Sequence, residues 1–130
     1  MNKNIYYLFF IALSFACCKK ENSDFRDKYI GEWDFNVKIV EFNTDSIGYY
    51  HCDSLSYVGT ITCSDSDNDI VIKYSNENSI TLFLDENGEL SNFPTYYCFG
   101  NFEGDNRIHI YLRWGGLGGG IRHEIDGVKR

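Results

Sequence analysis

Trp33-Asp34-Phe35-Asn36-Val37-Lys38-Ile39, read WDFNVKI, alternates apolar and polar residues at every step. In an extended chain successive side chains point to opposite faces. Trp33, Phe35, Val37 and Ile39 therefore share one face, and Asp34, Asn36 and Lys38 the other. That period of two predicts a half-buried β-strand. The same rhythm recurs along the chain. Tyr57, Gly59, Ile61 and Cys63 align in YVGTITC, Ile70, Ile72 and Tyr74 in IVIKY, and Ile80, Leu82 and Leu84 in ITLFL. Tyr96, Cys98, Gly100 and Phe102 align in YYCFGNF, Ile108, Ile110, Leu112 and Trp114 in IHIYLRW, and Ile121, His123 and Ile125 in IRHEI. Their β-branched and aromatic content suits a pleated surface.

Turn chemistry separates these segments. NTDSIG, SDSDND, SNEN, DENG, NFPT and EGDN each combine Asn, Asp, Ser, Gly or Pro, the residues that favour turns. Asn87-Gly88 is the strongest hairpin signal, because a type I′ turn needs positive φ at both central residues. Pro94, the only proline, falls in a connection where its missing N–H does no harm. No segment after Cys17 keeps a helical spacing over three turns. The expected fold is all-β: an antiparallel up-and-down meander of about seven or eight strands that closes into a small barrel, since closure removes exposed edges. Its inward series is bulky, so most of the interior is expected to be packed. Gly59 and Gly100 stand beside large rings and are expected to leave a modest pocket.

Before this pattern begins, the chain reads MNKNIYYLFFIALSFACCKKENSD. Lys3 precedes an uncharged, mostly apolar run from Ile5 to Ala16. The run is shorter than the roughly 20 residues that span a bilayer and fits the apolar region of a secretory signal at residues 1–16. Its end, LSFAC, resembles a lipobox, the cleavage motif of bacterial lipoproteins. The resemblance implies lipid on Cys17, with Cys18 as the alternative acceptor, and a membrane anchor through that lipid. Residues 17–28 then read as a solvated, lipidated tether of mixed charge. The expected location is the cell envelope, anchored by lipid, with the outer membrane of a Gram-negative bacterium as the expected membrane.

Tyr29 to Phe35 reads YIGEWDF. Gly31 and Trp33 resemble the Gly-x-Trp box that opens the first strand of lipocalins and lipocalin-like bacterial lipoproteins. The resemblance implies a lipocalin-like barrel over residues 29–130. It also implies that Trp33 closes one end against an arginine from the far end of the chain. Arg122 is the first choice for that partner and Arg113 the second. A small apolar ligand held inside would be lined by some of Trp33, Tyr57, Tyr74, Tyr96 and Trp114.

The net charge of −7 argues against nucleic acid and against an electrostatic hold on anionic lipid. Of the five cysteines, Cys52 and Cys63 are the first choice for a disulfide in an exported protein, with buried free thiols as the alternative. No CxxC, HxH or HExxH spacing marks a metal site, so no metal and no cofactor are expected. Asp65 to Asp69, DSDND, lacks the Gly and Glu that a calcium loop needs at its sixth and twelfth positions. GGLGGG, Gly115–Gly120, is followed by strand alternation and lacks a Lys-Ser/Thr pair. It is expected to be a wide hairpin turn or bulge and not a phosphate loop. His51, His109 and His123 carry no nucleophile signature around them, and no enzyme chemistry is expected. Tyr97, Phe99 and Tyr111 fall on the face opposite the core, and Tyr49-Tyr50 are adjacent, which suits either cross-strand pairing or a partner platform. Two functions stand side by side: an anchored barrel that binds a small apolar ligand, and an interaction module with a solid core that meets an envelope protein.

Overall fold

The computed structural model describes residues 23–43, 49–92 and 97–130. The expected signal peptide, Cys17, Cys18, Pro94 and Tyr96 lie outside the described residues. Eight strands follow a 3-10 turn at Asp27–Tyr29: β1 (Gly31–Asn43), β2 (Tyr49–Cys63), β3 (Asp69–Lys73), β4 (Ser79–Leu84), β5 (Glu89–Ser91), β6 (Phe99–Glu103), β7 (Arg107–Gly116) and β8 (Gly119–Lys129). Each pairs antiparallel with the next, and β8 returns to β1, so the sheet is a closed up-and-down barrel. The fold is the one that the alternation predicts. β5, with 3 residues, is too short to show a period of its own.

The inward series fills the barrel. Trp33, Phe35, Val37, Ile61, Ile70, Ile72, Tyr74, Leu82, Leu84, Ile108, Leu112 and Ile125 are all buried in one cluster. Each such side chain contributes roughly 1.5–3 kcal/mol. The pocket expected beside the glycines is not there. A Cβ on Gly59 would lie 2.9 Å from the Phe35 ring, and one on Gly127 2.8 Å from the ring's other edge, so the ring lies across both. A Cβ on Gly100 would meet the His109 carbonyl at 2.3 Å. Neighbouring atoms occupy the space that the missing side chains leave.

One end of the barrel is stapled shut by residues before the first strand. Arg26 is buried, and its Nη1 donates to the carbonyls of Ser66 at 2.6 Å and Asp69 at 2.8 Å, in the β2–β3 turn. Tyr29 stacks on Phe102, with ring centroids 3.7 Å apart, and its hydroxyl lies beside Gly88 of the β4–β5 turn. Lys28 faces Asp105 of the β6–β7 turn at 3.6 Å. The Trp33 indole Nε1 donates to the Tyr29 carbonyl at 2.9 Å. The expected solvated tether over residues 17–28 therefore ends sooner: from Asp24 onward the chain is docked.

The opposite end is uneven. β3 covers β2 only over Thr60–Cys63, and β6 covers β7 only over Arg107–Tyr111. The upper parts of β7, β8, β1 and β2 project past the shorter strands as a four-stranded wall. The β7–β8 hairpin forms its tip, with Gly115 and Gly119 at positive φ and Gly116 paired with Gly119. The glycine run is thus a tight hairpin around Leu117 and Gly118, narrower than the wide turn expected. A Cβ on Gly115 would lie 2.4 Å from the Gly119 carbonyl, so close approach is what selects glycine there.

Candidate functional site

Three places bring chemistry-bearing side chains together. The first is the closed end. Asp24 accepts from Arg26 Nε at 3.0 Å and from Nη2 at 2.6 Å. These side-chain bonds hold the Asp24 carboxyl below the usual carboxylate range and raise the Arg26 guanidinium. Asp24, Asp27 and Cys63 present ligand atoms within 4.8 Å of one another. No local pattern encodes this cluster, because it forms only when the segment before β1 meets the end of β2. Arg26 already neutralises Asp24, so the arrangement is that of an ion-paired staple.

The second place is the open mouth. His123 is buried, and its Nδ1 shares a 3.0 Å hydrogen bond with the Tyr74 hydroxyl. Burial lowers the His123 pKa and pushes that of Tyr74 up to about 12. Both are therefore neutral near pH 7, so one group donates and the other accepts, with the direction set by the imidazole tautomer. Trp114 packs edge-on against His123, with centroids 4.9 Å apart, yet is 44% exposed. The alternation along β7 placed Trp114 in the core, but β6 stops at Tyr111's level and nothing covers that face above it among the described residues. Tyr57 is half-buried. Of the four expected lining residues that are described, Trp33 and Tyr74 belong to the packed core and Tyr57 and Trp114 do not. A cleft of about 490 Å³ at the mouth is bordered by Tyr97, Trp114 and Leu117.

The third place is the outer face of β6, β7 and β8. Phe99 and Tyr111 pair across strands and stack, with centroids 5.1 Å apart. In the next row, Asn101, His109 and Asp126 lie side by side. His109 Nδ1 is bonded to Asp126, and its Nε2 lies 3.5 Å from Glu103. Asn101, His109, Asp126 and Glu124 border a cleft of about 250 Å³. The outward aromatics read from the sequence are thus where alternation put them, with Tyr97 and Phe99 exposed. The histidine–carboxylate pairing needed the register between β7 and β8, which no local pattern encodes.

Two expectations fail on geometry. Arg122 cannot close the barrel against Trp33. It points to the outer face, pairs with Val40 and not with the Trp33 level of β1, and lies 3.1 Å from Glu124. Arg113, the second choice, also points outward and sits over the Phe42 ring at 5.4 Å. The arginine of the closed end is Arg26, from the other end of the chain. Cys52 and Cys63 are both free and exposed. They stand at opposite ends of one extended strand, roughly 36 Å apart at about 3.3 Å per residue, far beyond disulfide reach. Cys98 is a buried free thiol. No protein-family model, curated protein or solved structure matches this chain.

Proposed function

We propose that the protein is a lipid-anchored accessory module of the bacterial cell envelope that works through its outer surface. The observation that carries this reading is the filled interior: Trp33, Phe35, Leu84, Ile108 and Leu112 are buried within one cluster, so the barrel's inside is its core. What remains for recognition is the outside, where Phe99 and Tyr111 stack beside His109 and the carboxylates and Tyr97 stands exposed at the mouth cleft. The anchor reading rests on the lipobox-like LSFAC at Leu13–Cys17.

Two measurements test it. Radiolabelled palmitate is expected to enter the wild-type chain and a Cys18→Ser variant but not Cys17→Ser; no label in the wild type contradicts the anchor, and equal labelling of all three contradicts Cys17 as its site. Envelope partners retained by the wild type are expected to be lost on Tyr97→Ser with Tyr111→Ser. An unchanged partner set contradicts the surface reading. Binding of a small apolar molecule is favoured by one observation, the exposure of Trp114 and Ile121 at the mouth. It would appear as quenching of Trp114 by such a molecule.

A further inference from the structure

β2 has one edge that the barrel does not use. β1 pairs with it along its whole length, whereas β3 reaches only Thr60–Cys63. From Tyr50 to Val58 no strand among the described residues pairs with the β3 side, and the Ser54 N–H donates only to the neighbouring Asp53 carboxylate at 2.8 Å. Such an edge is a template for another strand. Proteins usually blunt it with lysine, proline or a bulge. The run from Tyr50 to Val58 contains no lysine and no proline, keeps regular register with β1, and carries one acidic residue, Asp53.

We propose that this edge pairs antiparallel with the same edge of a second copy, centred on Ser54. The sequence is self-complementary about that residue. Tyr50 and Val58 lie four positions to either side of it, on the same outer face, and are 59% and 46% exposed. In a pair centred on Ser54, Tyr50 meets the partner's Val58, and Val58 meets the partner's Tyr50. An aromatic residue opposite a β-branched one is a favourable cross-strand pair. Cys52 meets the partner's Ser56, and Asp53 meets the partner's Leu55, so the acidic groups stay apart. Centring on Asp53 sets the two carboxylates against each other, and centring on Leu55 breaks both Tyr50–Val58 matches. The two-fold axis sends the two stapled ends in opposite directions, away from the pairing residues.

Directly opposed residues in an antiparallel pair have Cα atoms about 4.5–5.5 Å apart, within disulfide reach. The test uses the full chain in isolated membranes under mild oxidation. Ser56→Cys places a thiol opposite the partner's Cys52, and Ser54→Cys places one opposite its own counterpart. Both variants are expected to run mainly as a reducible dimer. Thr60→Cys, outward on the same strand but on the part covered by β3, is expected to stay monomeric. If the first two cross-link no more than Thr60→Cys, the pairing is overturned. Adding Val58→Lys to Ser54→Cys is expected to abolish the cross-link with an unchanged circular dichroism spectrum. A cross-link that persists undiminished overturns the register.

Discussion

Phe35 shows how the smallest residues decide what the largest may do. Its ring lies over Gly59 on one neighbouring strand and Gly127 on the other. Alternation assigns Phe35 and Gly59 to the same face, and that much was legible. It says nothing about which side chain spreads into the vacancy, so an expected pocket became packing. The two glycines are not equivalent. A methyl on Gly59 would lie 1.9 Å from the Lys73 carbonyl, which is backbone, whereas one on Gly127 meets only the side chains of Ile108 and Phe35. Gly59→Ala is therefore expected to cost about 1–3 kcal/mol, and more than Gly127→Ala, as read from urea unfolding. His123 makes a second prediction at this scale. Burial lowers its pKa, so below the unfolded value near 6.5 the unfolded chain takes up a proton that the folded chain refuses. That contribution to stability is complete above about pH 6.5 and is lost as the pH falls toward the folded pKa. Tyr74, its partner, does not titrate in this window, with a pKa of about 12. Between about pH 7.5 and 5.5 the wild type is expected to lose more stability than His123→Gln.

Seven of the eight strands were legible, in whole or in part, because they repeat a period of two between turn residues; β5 and the first half of β2 were not. Nor was the segment before β1. SDFRDKY, Ser23–Tyr29, has no period, and its ordering comes from contacts with three turns that are distant in sequence. The key side chain, Arg26, spends its donors on backbone carbonyls and on Asp24, and such acceptors leave no trace in a sequence. Arg26→Gln removes charge-assisted bonds that contribute about 1.5–3 kcal/mol each, against which water offers partial replacement. The variant is expected to unfold at lower urea and to be cleaved after Lys28 by trypsin faster than the wild type. Equal cleavage would mean that the staple does not hold the segment. Strand length was equally hidden. Trp114 obeys its alternation but rises above the end of β6, so the face it shares with the core is open at that height. Only the partner's length could reveal this.

At the scale of the molecule, unequal strands give the barrel one shut end, where the chain enters, and one uneven end, where the β7–β8 hairpin projects. The N-terminal segment and the hairpin tip, with Leu117 fully exposed, are thus held at opposite extremes. The central claim is that the interior is core and not chamber. Trp33 lies fully buried within it and is one of only two tryptophans, so Trp114→Phe leaves it as the sole indole. Titrating that variant with fatty acids and other apolar probes tests the claim directly. The emission of Trp33 is predicted to stay blue-shifted, shielded from acrylamide and unmoved by any probe. A saturable one-to-one change in its fluorescence would contradict the account.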